Sequence, residues 1–285
     1  MRRRSFIQEP NSRLATWALR MALFSLIAIV LDIFIVFFDV LEFRPALATV
    51  AGSIALALIA LLLAFGGFAA IWKDGLGGLG SAVGAIAISL GLLGYPAYLA
   101  AKAYKLPRIY DITTDPIDPP RYRELARIRV GDANPTIYAG LATAEQQRAA
   151  YPEIEPLQEE ASPRAAYQAV LAVMTKRKWK LYPSPPERGR DGQVEGVART
   201  PPLGVRNDVV VRIRAIPDGS RIDARSSSRY GNFDFGSNAA LIRRLLDDVD
   251  DAIGNQKPEQ PVLPPPAKKQ QQKTAPKGNQ PTAKR

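Results

Sequence analysis

Three long apolar runs constrain this chain more than anything else in it. Met21 to Leu41, Ala46 to Trp72 and Leu76 to Ala101 carry very few charges. Each exceeds the roughly 20 residues that a helix needs to cross a bilayer. In hydrocarbon every backbone N–H and C=O must bond within its own segment, so runs of this kind are helices. A secretory leader has a shorter apolar core and is not followed by two more spans. The pattern predicts transmembrane helices at 21–41, 46–72 and 76–101, preceded by a basic N-terminal stretch, 1–20.

Orientation follows from the bias of Lys and Arg toward the cytoplasm. Arg2, Arg3, Arg4, Arg13 and Arg20 precede the first span, whereas the loop after it offers Arg44 beside Asp39 and Glu42. The N-terminus is therefore expected inside, with Lys73 returning to that side and Trp17 and Trp72 at its interface. Three crossings then put everything after Ala101 outside, which in a bacterium is the periplasm. Lys102, Lys105 and Arg108 flank the outer end of the third span and run against this bias.

Two features of the spans carry more than hydrophobicity. Asp32 falls near the middle of the first predicted span, where a carboxylate costs about 2.5–3.5 kcal/mol. It reads either as part of a proton or ion path or as one polar group bonded across the bundle, to Ser53 or Ser89. The second reading is favoured, because no intramembrane basic partner accompanies it. Gly80 and Gly84 form GxxxG and Gly91 and Gly94 extend a small-residue surface, which permits close packing within the chain or in a homo-oligomer.

The net charge of +11 first suggests a nucleic-acid partner. Its distribution argues otherwise, since residues 109–253 hold about 21 basic and about 21 acidic side chains. The excess lies in the N-terminal part and in the tail, so no nucleic-acid surface is expected. The chain has no Cys and no His. That removes disulfides, thiolate catalysis, the usual zinc and haem ligands and the commonest general base. No cofactor and no metal site are predicted. Asp111, Asp115 and Asp118 do not have the spacing of a calcium loop.

Beyond the spans, 102–161 is rich in Pro, Asp and Thr and reads as an extended lead-in over a domain surface. The domain itself is expected at 162–253. Ser162 is a plausible N-cap, Pro163 suits the first helical position, and Ala166, Val170, Val173 and Met174 form a helical apolar stripe. Strand-like runs follow at 180–185, 193–200, 208–216 and 221–229, separated by short turn-rich connections. A last helix, 238–253, closes the domain. The predicted fold is a membrane-anchored α+β protein: three transmembrane helices, then a two-layer domain with a four-stranded antiparallel meander and flanking helices. The tail, 254–285, has the Pro, Gln and Lys content of a disordered basic segment suited to anionic lipid or cell-wall polymer.

Strand alternation sorts the domain's charges. Val209, Val211, Ile213, Ala215, Ile222, Ala224 and Ser226 point toward the helices. Glu195, Arg199, Arg212, Arg214, Asp223, Arg225 and Arg229 point away. A two-residue turn at Asp218–Gly219 would set Arg212 opposite Arg225, an unfavourable pair, with Arg214 opposite Asp223. Pairing Thr200 with Asn207 would bring Glu195 to Arg212. A four-residue turn would instead set Arg212 opposite Asp223. This face reads as a solvated salt-bridge ladder, or as a surface where Arg199, Arg212, Arg225 and Arg229 bind an anion. The strand-to-helix corner Asp234, Ser237 and Asn238 offers a helix N-terminus as a companion anion site or simply caps the helix.

Five stretches carry a family resemblance: YDITTDPIDPP (110–120), AYPEIEPL (150–157), GQVEGVART (192–200), RNDVVVRIR (206–214) and RIDARSSSRYGNFDFGSNAALIRRLL (221–246). Together they resemble the bacterial family called domain of unknown function 1499, over about 110–253, in the form with an N-terminal membrane anchor. The resemblance implies an envelope-associated domain and supplies no reaction and no catalytic residues.

The resulting expectation is an inner-membrane protein with a periplasmic binding or envelope-maintenance module for an anionic lipid, glycan or protein partner. The alternative is a structural, oligomerising scaffold. A hydrolase built on Ser226 or Ser228 would need a base that only Lys or Asp could supply, and ranks last. Topology is directly measurable. A compartment-sensitive reporter fused after Gly254 is expected to report the periplasm, and one after Trp72 the cytoplasm; a cytoplasmic signal from the distal fusion overturns the orientation.

Overall fold

The computed structural model describes residues 10–38, 43–129, 131, 133–187, 190–201 and 204–255. The N-terminal arginines Arg2, Arg3 and Arg4, the loop residues Asp39 and Glu42, and the basic tail lie outside the described residues.

Three helices, α1 (Arg13–Phe37), α2 (Phe43–Asp74) and α3 (Leu79–Lys105), are long and apolar enough to cross a membrane. The bounds differ from the apolar runs: α1 begins ahead of Met21 and stops before Leu41, and α3 begins after Leu76 and runs past Ala101 to Lys105. Ser12 caps α1 by accepting from Ala15 N at 3.4 Å. Lys102 and Lys105 occupy the last turn of α3, where they offset the negative end of the helix dipole. Trp17 and Trp72 lie at the same end of the bundle, near the bridge between Asn11 and Gly77.

Small residues hold the bundle together. Ala18, Ala22, Ala60, Ala64 and Ala85 are wholly buried. At Gly67 a Cβ would come within 2.6 Å of Ala15 N, so α1 and α2 nearly touch there. The glycines of α3 do less inside the chain. Gly84 faces Leu19, while among the described residues nothing lies within 4 Å of a Cβ at Gly80, Gly91 or Gly94.

Asp32 is placed differently from the expectation. Because α1 ends at Phe37, it sits about one and a half turns from the helix end rather than mid-span. It is buried, and neither its Oδ2 nor Ser89 Oγ has a hydrogen-bond partner among the described residues, so the expected bond between them is not made.

The domain that follows is two-layered, but its sheet exceeds four strands. The meander is β3 (Lys180–Ser184), β4 (Gly192–Thr200), β5 (Val205–Ile216) and β6 (Gly219–Ser228). The lead-in adds two more: β1 (Asp111–Thr113) and β2 (Leu157–Glu159) both pair with β6, giving the order β1-β6-β5-β4-β3 with β2 beside β6. The lead-in also forms two helices, α4 (Glu124–Ile128) and α5 (Leu141–Ala150). Three-residue strands are too short to show an alternation, and α5 is mostly polar and Ala-rich, so neither leaves a periodic signal.

Helices α6 (Pro163–Lys176) and α7 (Ser237–Gly254) cover one face of the sheet. Ser162 caps α6 through Ala165 N at 3.3 Å. Ala166, Val170 and Met174 meet Val209, Val211, Ile213, Ile222 and Ala224 in one core, as the two periodicities require.

The register differs from the two-residue turn at Asp218–Gly219. Ile216 pairs with Gly219, so Pro217 and Asp218 make the turn and Arg212 stands opposite Asp223. Likewise Thr200 pairs with Val205, which sets Glu195 opposite Val210 rather than Arg212. Gly219 has φ +149°, and a Cβ there would lie 2.0 Å from Glu159 O. Gly219→Ala is expected to destabilise the domain by more than about 2 kcal/mol, read from denaturant unfolding of the full chain in detergent.

Candidate functional site

The sheet face away from α6 and α7 is not a solvated ladder. The lead-in lies across most of it and supplies the counterions. Asp111, Asp115 and Asp118, three acids of the lead-in, are the partners of the strand arginines.

Arg225 is the anchor of this arrangement. It is 1% exposed, and its Nε and Nη2 donate to Asp111 Oδ1 and Oδ2 at 3.0 and 2.7 Å. Nη1 donates to Pro120 O and Nη2 also to Thr136 O. Tyr122 and Tyr138 pack on the guanidinium at 4.8 and 5.6 Å. Burial pushes the Asp111 carboxyl up, and the bonds and charge of Arg225 pull it back incompletely. Burial also pushes the Tyr138 hydroxyl up to about 12, with the Asp111 charge adding to it.

A second cluster is centred on the wholly buried Asp223 and opens outward to the exposed Asp118. Arg212, Arg214 and Arg221 reach Asp223 at 3.0, 2.8 and 2.8 Å. Arg214 and Arg221 also reach Asp115, and Arg212 and Arg214 reach Asp118. Burial alone would push the Asp115 carboxyl up. The N–H of Asp118, the Arg221 charge, the Arg214 hydrogen bond and the N–H of Ile117 outweigh it and hold the group below its ordinary value. Glu195 accepts from the N–H groups of Arg123, Glu124 and Leu125 and so starts α4 on the sheet.

The predicted anion residues therefore separate. Arg212 and Arg225 are turned inward and matched by aspartates. The corner residues are stitched shut: Asp234 accepts from Gly236 N and Asn238 N at 2.8 and 2.9 Å, filling the start of α7 with the chain's own carboxylate. Asn238 accepts from Ser226 Oγ and donates to Tyr110 O and Ser228 Oγ, and the Ser237 N–H donates to Asp234 O. Ser228 Oγ in turn donates to Asn207 Oδ1. Both serines raised for hydrolysis are buried in this asparagine network.

Arg199 and Arg229 stay together, in a place the lead-in leaves uncovered. They line a cleft of about 510 Å³ with Arg177, Lys178, Lys180 and Arg206, against Trp179, Tyr182, Val197 and Ile128. Six cationic side chains and no carboxylate are among the described residues of its wall. Sequence reasoning missed Arg177, Lys178, Lys180 and Arg206. Their common signal is position: Arg177, Lys178 and Lys180 lead into β3 and Arg206 lies at the start of β5, at the end of the meander where β4 and β6 finish. Lys178 has φ +58°, which lets α6 stop and turn into β3. Arg177 stacks on Trp179 at 5.3 Å and binds Asp248, and Lys180 lies over Tyr182 at 5.7 Å.

This end of the sheet adjoins the helical bundle. Arg199 Nη1 donates to Phe37 O at 3.2 Å, taking a carbonyl at the C-terminal end of α1, where a cation also meets the dipole. A Cβ on Gly204 would sit 3.5 Å from Val36 Cγ1. A second hollow of about 610 Å³ lies over Arg225 and has exposed Ile117, Ile137 and Leu141 on its rim. Its buried charge is already met by Asp111.

Residues 111–249 match the model of the family described as Protein of unknown function (DUF1499), and the domain they form belongs to that family. No match was found among curated proteins or among solved structures.

Two predictions test the closed part of this face. Asp111→Leu leaves Arg225 buried and unpaired and is expected to cost about 3–5 kcal/mol, whereas Asp111→Leu with Arg225→Met should recover most of that loss. A double-mutant cycle in denaturant measures both. For Asp115, a carboxyl held below its unfolded value stabilises the fold above the ordinary carboxylate range, and that contribution fades as pH falls through the lower folded value. Asp115→Asn should therefore reduce stability at neutral pH and shrink its fall between about pH 5 and pH 2 in acid-unfolding curves.

Proposed function

We propose that this chain is a bacterial inner-membrane protein whose domain stands in the periplasm and holds the anionic headgroup of a membrane lipid in the Arg199–Arg229 cleft. One observation carries the reading: a cleft whose described wall has six cationic side chains and no carboxylate opens at the end of the sheet that touches the last turn of α1. A headgroup at the outer membrane surface lies within reach of side chains fixed there. Guanidinium groups favour phosphate and carboxylate oxygens, and the aromatic floor of Trp179 and Tyr182 suits the junction of polar headgroup and chain. The N-terminal arginine excess supports the orientation. No reaction is assigned. The role is to bind and position an envelope lipid.

The test is lipid retention. The full chain extracted in mild detergent is expected to keep anionic phospholipid by native mass spectrometry, and to lose it in a Lys178→Ala/Lys180→Ala/Arg206→Ala variant and as salt is raised. Equal retention of zwitterionic lipid, or no loss in the variant, overturns the reading.

A second reading, an oligomerising anchor, is favoured by the open glycine face of α3. Among the described residues nothing lies within 4 Å of a Cβ at Gly80, Gly91 or Gly94, so the face has room for a second copy. Gly91→Leu should then shift in-membrane cross-linking from dimer or higher forms to monomer. Cross-linking that finds monomer in the unaltered chain sinks this reading.

A further inference from the structure

The ionic clusters of the charged face can be compared one by one. Arg225 meets Asp111 one to one. Arg212, Arg214 and Arg221 meet Asp115, Asp118 and Asp223 three to three. The third cluster does not balance. Asp208, wholly buried, receives Arg129 Nε at 2.6 Å on Oδ2 and Arg229 Nε at 2.8 Å on Oδ1. Arg129 places its other nitrogens on the carbonyls of Asn134 and Pro135 and on Ser227 Oγ. Arg229 does not: its Nη2 is buried and has no acceptor among the described residues. Among those residues two guanidinium charges share one carboxylate, and Arg229 lines the cleft. A charged donor left unpaired in the interior is destabilising, and surplus positive charge in a low dielectric draws an anion more strongly than the same charge in water.

We infer that Arg229 is a phosphate subsite: a phosphate oxygen of the bound headgroup accepts from its terminal nitrogens and completes the Asp208–Arg129–Arg229 cluster. This deepens the lipid-binding reading and rests on the cleft being the ligand site. Asp208 fixes the guanidinium through Nε; Nη2 lies just beneath the surface and 11% of the Arg229 side chain is exposed, so the phosphate reaches the fork when a side chain of the cleft wall shifts aside. A fork of parallel N–H groups matches two oxygens of one phosphate, whereas an ammonium acts as a point charge. Phosphate thus accounts for Arg at 229, while the exposed Lys178 and Lys180 contribute general attraction. The step is binding alone, with no bond made or broken.

The experiment uses the full chain in nanodiscs of zwitterionic lipid, titrated with short-chain phosphatidic acid, a fatty acid of equal chain length, and inorganic phosphate. Arg229→Lys keeps a cation beside Asp208 and removes the fork. Lys176→Ala, at the end of α6 and outside the cleft, removes only surface charge, and thermal unfolding confirms that each variant is folded. Phosphatidic acid should bind at least tenfold tighter than the fatty acid, Arg229→Lys should abolish that preference, and Lys176→Ala should weaken both ligands by less than about threefold. Binding of phosphatidic acid that ignores Arg229→Lys overturns the subsite and leaves the lipid cleft standing. Equal binding of the two amphiphiles does the same. Inorganic phosphate binding alone, with the same Arg229 dependence, supports the subsite and overturns the lipid as its source. No binding by any probe overturns both.

Discussion

The buried pair of Arg225 and Asp111 is the interaction on which the domain's charged face depends. Taking two ions out of water is costly, and the pair is tolerable because the geometry is bidentate and the remaining N–H groups reach carbonyls. Those carbonyls, on Pro120 and Thr136, belong to the lead-in. The same contacts that satisfy the guanidinium therefore pull an irregular segment of the chain across the sheet. Tyr122 and Tyr138 close over the pair from that segment. Removing either charge would leave the other stranded, so the pair specifies the lead-in's path more than it adds to stability.

Once the lead-in is fixed, the rest of the face sorts itself by what the lead-in covers. Under it, each cluster of arginines finds aspartates. Beyond its edge lie the four strand ends nearest the bundle, where the described wall of the cleft carries six cations and no carboxylate. The cleft is thus a by-product of incomplete cover. Its position against Val36 and Phe37 follows from connectivity: α3 delivers the chain to β1 at that end, and β1 runs antiparallel to β6. The family-matched domain and the apolar helices meet where the surplus charge lies.

Much of this was legible in the residues. The apolar runs yield the three helices, and the alternation in Asp208–Ile216 and Arg221–Arg229 separates core from charge correctly. The neutral balance of 109–253 counted against a nucleic-acid surface and left open whether the arginine face is a salt-bridge ladder or an anion site. Nor did it reveal which acids the arginines meet. Asp111, Asp115 and Asp118 stand roughly 100 residues from their arginines in sequence, among prolines that suggest only turns, and no local rule links such distant groups. The register was similarly open, because Pro217–Asp218 and Asp218–Gly219 both make acceptable two-residue turns.

The sequence by itself determined the elements and their faces: three apolar helices, an antiparallel meander, two amphipathic helices and a row of arginines on the outer side of the sheet. These follow from hydrophobic length and periodicity, which are local properties. Only the tertiary structure decided which arginines are internal and which line a cleft. That depends on where a non-periodic segment packs and on a register that shifts every opposing pair along the strands. Charge compensation between groups far apart in the chain is a property of their meeting in space, so Arg225 became a structural anchor and Arg229 was left with a donor to spare.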